Sequence, residues 1–267
     1  MSSLGLIAGN GVFPLEVAAA ARRKNIKVVA VAHLGETRPE IESLVDYIVW
    51  IKVGELQKIV DTFKTRAVAN AAMAGGISRA RLKDSFAPDA RAIAMLAKIK
   101  RWSDDAVLRA IGREVESEGI PMIDPVPMLE SALASPGLMA GPSPSTEALA
   151  DLELAFNVAR SLGAYDIGQS VAVRAGVVAA VEAVEGTDAA LRRGASLVGG
   201  GLVVAKAAKP GQDLRFDRPA IGPATIEVLA QVGATMLGVE AGMCLILERE
   251  RTLELAGSSN LTVYGHA

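Results

Sequence analysis

One pattern constrains the first half of the chain more than any other. Short, unbroken apolar runs alternate with amphipathic stretches. The runs are Leu4–Ala8, Ile26–Ala32, Tyr47–Ile51 and Ala67–Met73. A strand with one wet face alternates apolar and polar residues, whereas a strand covered on both faces reads as a continuous apolar run. Helices are expected at Pro14–Lys24, with Pro14 in the first turn where its missing N–H is harmless, and near Glu55–Lys64. Pro88–Arg101 and Asp104–Glu118 read as two more, the second opened by Ser103, Asp104 and Asp105 as cap and dipole partners. A short strand over Ile120–Ile123 would close the series. Strand–helix alternation of this kind implies an open α/β sheet.

The rhythm then changes. Residues 135–146 hold the richest Pro/Gly/Ser stretch in the chain and read as a linker. Thr146 is expected to cap a helix through Glu147–Leu162 that stops at Gly163. Ser170–Arg174 and Val177–Ala183 flank Ala175-Gly176 as a hairpin. Further on come a helix over Thr187–Leu197, a strand at Leu202–Ala207 and a helix at Thr225–Val232. Strands at Ala234–Val239, Cys244–Leu247 and Leu261–Tyr264 follow. The expected organisation is α/β in residues 1–134, a linker at 135–146, and a smaller α+β domain over 147–267.

Rare residues narrow the chemistry. The 267 residues include one cysteine, Cys244, and two histidines, His33 and His266. An internal disulfide, a Cys-x-x-Cys zinc site and a multi-histidine metal site are all excluded. The formal net charge is −2 with charges of both signs interspersed, so there is no electrostatic footprint for nucleic acid. Neither a secretory leader nor an apolar stretch of spanning length is present, which makes the cytoplasm the expected compartment. Carboxylates, lysines, hydroxyls and backbone amides remain as catalytic groups, a set suited to a hard cation such as Mg²⁺.

Two glycine loops follow expected strands. Gly9-Asn10-Gly11-Val12-Phe13-Pro14 could cradle a phosphate on backbone N–H groups at a helix start. Pro14 stands where a dinucleotide fingerprint requires a third glycine, and no acid follows the second strand directly, which counts against a Rossmann-type oxidoreductase. Gly75-Gly76 occupies the corresponding place after the fourth strand, with Asn70, Ser78 and Arg79 as further donors. Both loops also suit plain tight turns. The densest polar constellation lies in the second half: Gln169, Glu182, Thr187, Asp188, Lys206, Lys209, Gln212, Asp213 and Glu240. Cations for phosphate oxygens and carboxylates for a metal would suit a phosphorylated ligand. A solvated charged loop would look the same. His33 reads as a loop histidine and Cys244 as a core thiol.

The motifs resemble a known family. Gly5–Pro14, Asp166–Val171, Val181–Asp188, Lys209–Asp217 and Val239–Gly242 occur in the order found in the LpxI-type UDP-2,3-diacylglucosamine pyrophosphatases of lipid A biosynthesis. The resemblance implies hydrolysis of UDP-2,3-diacylglucosamine to UMP and 2,3-diacylglucosamine 1-phosphate, with Mg²⁺. It implies a Rossmann-like N-terminal domain, a distinct C-terminal domain, a homodimer, and a cytoplasmic enzyme in transient contact with the inner membrane surface. Carried onto this chain, Glu182 and Asp188 would be metal ligands, and Asp213 and Glu240 catalytic. Asn10, Gly11, Gly75, Gly76, Gln169, Thr187, Lys206, Lys209 and Gln212 would hold substrate. One position departs from the pattern: Gly222-Pro223-Ala224-Thr225 carries Ala224 where the family motif has Asp. A chain that binds substrate but turns it over poorly is therefore expected. A non-catalytic lipid- or nucleotide-sugar-binding protein is the alternative.

Overall fold

The computed structural model describes residues 3–78, 86–100, 102–129 and 131–267. The chain forms two compact units, Met1–Glu130 with Asp213–Asp217, and Ser131–Gln212 with Arg218–Ala267.

The first unit is built on a four-stranded parallel sheet of β1 (Ser3–Ala8), β2 (Lys27–His33), β3 (Tyr47–Ile51) and β4 (Asn70–Ala74), in the order β3-β2-β1-β4. The unbroken apolar runs are explained by cover on both faces. Leu4, Leu6, Ala8, Val28 and Ala30 pack with α1 (Phe13–Arg23). The alternate residues Ile7, Val29 and Val31 pack with α2 (Leu56–Thr65), α3 (Ala90–Leu96) and α4 (Asp104–Glu116). Two expectations shrink. The helix expected over Pro88–Arg101 is regular only at Ala90–Leu96, started by the Asp89 carboxylate accepting from the Ala92 N–H. Ile120–Ile123 is no strand; Met122 makes a single bridge to Ala71, and Ile123 N–H donates to the Ala71 carbonyl.

Residues 213–217, read from sequence as part of the second domain, make their contacts in the first unit. Arg215 reaches Glu116 and the Met122 carbonyl, each at 3.2 Å. A Cβ on Gly112 of α4 would fall 2.5 Å from the Phe216 ring, so that glycine makes room for the aromatic.

The second unit holds a six-stranded sheet in the order β5-β12-β10-β8-β6-β7. These are β5 (Gly137–Ala140), β6 (Ser170–Arg174), β7 (Val177–Val181), β8 (Val203–Lys206), β10 (Met236–Glu240) and β12 (Thr262–His266). The expected hairpin is β6–β7. The sheet is mixed: β8, β10 and β12 run parallel, with antiparallel neighbours at both sides. Part of the expected linker is edge strand β5. Helix α5 (Thr146–Gly163) covers one face through Leu152, Ala155 and Phe156. Its cap is Ser145, whose hydroxyl accepts from Ala148 N–H, and Thr146 is the first helical residue. Helices α6 (Thr187–Val198), α7 (Pro223–Gln231) and α8 (Arg249–Ser258) cover the other face through Leu191, Ile226, Leu229 and Ala256. A small parallel pair, β9 (Ala220–Ile221) with β11 (Leu245–Ile246), precedes α7 and α8. Among the described residues no helix is long and apolar enough to cross a membrane.

The carboxyl end of β1 is tied to the turn after β2. The Ala8 carbonyl accepts from Thr37 Oγ1 at 2.6 Å and from His33 Nδ1 at 2.8 Å. Thr37 Oγ1 in turn accepts from the His33 N–H at 2.9 Å. Burial lowers the His33 pKa, against smaller opposing effects of the Ala8 carbonyl and Glu36. The ring is thus neutral at pH 7, with its proton on Nδ1.

Two outcomes follow from this packing. A Cβ on Gly5 of β1 would lie 2.8 Å from the Phe63 ring and 2.9 Å from Val68. Gly5→Ala is expected to cost about 1–3 kcal/mol, read as a lower urea midpoint at unchanged slope. The folded pKa of His33 lies below its ordinary value of 6.5. The unfolded chain therefore takes up this proton first, and stability that is complete above pH 6.5 is lost as pH falls toward the folded value. His33→Gln is expected to flatten the loss of stability as pH falls below 6.5. An unchanged acid limb would assign that loss to another group.

Candidate functional site

In the first unit the two glycine loops meet at the carboxyl ends of β1 and β4. Gly9 N–H donates to the Ala74 carbonyl and Asn10 N–H to the Gly76 carbonyl, both at 2.8 Å. The approach is too close for side chains. A Cβ on Gly9 would lie 2.4 Å from the Gly76 oxygen, and one on Gly75 would lie 2.2 Å from the Asn10 oxygen. Gly11 sits at φ +79° with open space around it, so its requirement is conformational. The strand order places these loops where the crossovers from β1 to β2 and from β3 to β4 part to opposite sides. That switch point is where open parallel sheets take ligands.

The side chain that organises this edge is one that sequence reasoning passed over. Glu36 is only 6% exposed. Its Oε2 accepts from Asn10 Nδ2 and from the Ser78 N–H, both at 3.1 Å. The distance of Glu36 from the second strand in sequence concealed it. Gly35, at φ +76°, turns the chain so that the following carboxylate comes back toward β1. Arg79 lies outside the described residues.

In the second unit one sheet edge gathers several of the expected residues. Register sets Ser170 of β6 beside Lys206 of β8, and Lys206 beside Val239 of β10. Glu182 N–H donates to the Ser170 carbonyl, which extends the row to the end of β7. Glu182 Oε2 accepts from Gln169 N–H at 3.2 Å. Ser170 Oγ lies 3.3 Å from Oγ1 of Thr187, the first residue of α6. Gln169, Glu182, Thr187, Lys206 and Glu240 thus share one edge, and Asp188 stands exposed in the first turn of α6. Helix N-termini with free N–H groups favour anions.

Partners separate the charged groups by availability. Lys206 makes no side-chain hydrogen bond or ion pair among the described residues, and is free to meet an anion. Lys209 is already paired through Nζ with Asp166, and its N–H donates to Gln212 Oε1 at 3.0 Å. Glu240 uses both oxygens: Arg160 reaches Oε1 at 3.1 Å and Ala208 N–H reaches Oε2 at 2.9 Å. Arg160 lies on α5, far from Glu240 in sequence, and no local motif marks it. Asp213 makes its contacts in the first unit, where Arg215 binds both its oxygens and holds its pKa below the ordinary value. Ala224 is exposed in the first turn of α7, a turn that contains no acid. Burial pushes the Cys244 thiol up to about 12, so it is no nucleophile at neutral pH. Among the described residues no cluster of three or more His, Cys, Asp or Glu side chains could hold a metal unaided.

Comparison with known proteins places the chain. Residues 3–132 match the model of the LpxI N-terminal domain, and residues 135–264 that of the LpxI C-terminal domain. A similar curated protein is the UDP-2,3-diacylglucosamine pyrophosphatase LpxI of Caulobacter vibrioides (strain ATCC 19089 / CIP 103742 / CB 15). It is 35% identical over 276 residues, covering 99% of this chain and 98% of that protein. Among solved structures, phosphoribosylglycinamide synthetase from Anaerococcus prevotii aligns with 76% of this chain and 45% of its own, at 12% identity and a TM-score of 0.28. That last likeness is too slight to carry any argument. With both domain models matched in order and the identity sustained from end to end, the chain belongs to the LpxI family.

Proposed function

We propose that this protein acts on UDP-2,3-diacylglucosamine, the substrate named for its Caulobacter relative, cleaving the pyrophosphate to UMP and 2,3-diacylglucosamine 1-phosphate. The observation that carries the reading is the identity of 35% over 99% of the chain. A water oxygen bonds to one phosphorus as that phosphorus loses its bond to the bridging oxygen; the departing phosphate keeps that oxygen, and the water's proton passes to solvent. Such a reaction is accelerated by placing positive charge and N–H donors around the phosphates, with no histidine or thiol required.

The polar edge of the second unit suits that task. Lys206, without a partner of its own, would neutralise a phosphate oxygen, and the start of α6 at Thr187 would offer N–H groups. Gln169 and Glu182 are held relative to each other by the 3.2 Å bond between them. The pairings of Lys209 with Asp166 and of Glu240 with Arg160 suit positioning more than contact with substrate. In the first unit Asn10, Gly11, Gly75 and Gly76 would hold the nucleotide. Asp213, tied to Arg215, would keep that segment seated.

Mg²⁺ commonly binds through one or two carboxylates and substrate phosphates. Glu182, with one oxygen engaged, and exposed Asp188 would be its ligands in this reading. When bound, the ion would offset charge on the phosphates and orient water. The same reading includes a cytoplasmic homodimer that touches the inner membrane surface to collect its lipid.

Ala224 makes this chain a poor catalyst in the proposed reading. Its exposed place in the first turn of α7 is where a carboxylate would be favoured by the helix dipole and could orient water. The test is Mg²⁺-dependent release of UMP from UDP-2,3-diacylglucosamine. Ala224→Asp is expected to raise turnover by about 10²–10⁴-fold, with substrate affinity nearly unchanged. Equal turnover in both forms would remove the impairment from the reading. No binding of the substrate by either form would remove the proposed function itself. The same substitution is expected to stabilise α7 by about 0.3–1 kcal/mol, visible in thermal unfolding without any substrate.

A further inference from the structure

Glu36 contains an unmet demand. Its Oε2 is shared by two donors at 3.1 Å, the Asn10 amide and the Ser78 N–H. Its Oε1 is buried and has no hydrogen-bond partner among the described residues. Buried polar atoms are nearly always paired, and an unpaired oxygen on a carboxylate is among the costliest exceptions. Neighbours do not meet the demand. The His33 ring has committed its Nδ1 proton to the Ala8 carbonyl, and Thr37 Oγ1 donates to the same carbonyl.

The residue that carries this covered oxygen borders a place with room for a ligand. Glu36 is among the residues around an open depression of about 530 Å³, together with Leu34, Thr37, Arg38, Pro39 and Trp50. The depression lies beside the turn after β2, and Glu36 links it to the glycine loop through Asn10. An ionised carboxylate only accepts hydrogen bonds. The group that completes it must therefore be a donor. A phosphate is the wrong partner, because its oxygens are acceptors and carry the same charge. Of the parts of a uridine nucleotide, the ribose presents adjacent hydroxyls, and apolar and aromatic walls suit the base.

We propose that Glu36 is the specificity-determining residue of the nucleotide subsite, with Oε1 accepting a hydrogen bond from a ribose hydroxyl. The assignment rests on the reading that this protein binds a uridine nucleotide. Glu36 reads the sugar, and Asn10, besides its place beside the nucleotide, holds Glu36 in position. The subsite then favours ribonucleotides over deoxyribonucleotides, a preference that glycine loops cannot supply.

The experiment is calorimetric titration of the full chain with UMP, 2′-deoxy-UMP and 3′-deoxy-UMP, repeated with Glu36→Gln. The unmodified protein is expected to bind one deoxy form about tenfold or more weakly than UMP, as for a lost hydrogen bond to a charged group. In Glu36→Gln the affinity for UMP falls by a similar factor, and discrimination between UMP and that deoxy form shrinks to about twofold or less. Should Glu36→Gln melt well below the unmodified chain, Glu36→Asp serves instead. It keeps the charge and withdraws the oxygens by one methylene. Equal affinity of the unmodified chain for all three nucleotides overturns the assignment, and leaves Oε1 to an ordered water. Discrimination that persists in the folded variant overturns it as well. In both cases UMP still binds, and the nucleotide reading survives. No binding of UMP at all removes that reading and the role of Glu36 together.

Discussion

Two glycine loops lie in van der Waals contact at the edge of the first sheet, and the polar chemistry of that unit is arranged around them. Because Gly9 and Gly75 have no side chains, the backbones after β1 and β4 approach closely enough to exchange hydrogen bonds with Ala74 and Gly76. That approach fixes Asn10. Asn10 and the N–H of Ser78 then fix one oxygen of Glu36. Replacing either close-packed glycine would separate the loops, move Asn10, and deprive a buried carboxylate of its support. The glycines thus have a packing reason independent of any phosphate.

The second unit solves a related problem with a different sheet. Its three central parallel strands bring Lys206 and Glu240 to a common edge, while the antiparallel pair β6–β7 brings Gln169 and Glu182 to the same place. Mixed strand direction allows both strand ends and strand starts to contribute side chains. Charge is then sorted by pairing. Glu240 and Lys209 are neutralised by neighbours within the unit, and Lys206 has no such partner among the described residues.

Much of the first sheet was legible because two-sided burial leaves an unmistakable record in runs such as Val28–Ala32. Elements stabilised by backbone contacts were harder to read. Edge strand β5 lies within the Pro/Gly/Ser stretch because it needs only the β12 backbone as partner. Pro88–Arg101 has helical spacing throughout but is regular only over Ala90–Leu96. In the site, Lys206 and Glu182 could be found from their settings beside apolar strands. Arg160 and Glu36 could not, since each gains its role from a partner distant in sequence. The motifs from Gly5–Pro14 to Val239–Gly242 carry the family resemblance in the sequence itself, and both domain models match it.

The seating of Asp213–Asp217 in the first unit has a consequence for the order in which the chain can fold. The Phe216 ring fills the hollow left by Gly112, and Arg215 joins Glu116. A nascent chain emerges from its N-terminus, and domains generally fold as they are completed. Here the first unit is incomplete when residue 130 emerges, and its last piece arrives only with residue 217. Until then Gly112 lacks the Phe216 ring that packs against it. A chain cut at the boundary between the two family models would leave Gly112 without that ring.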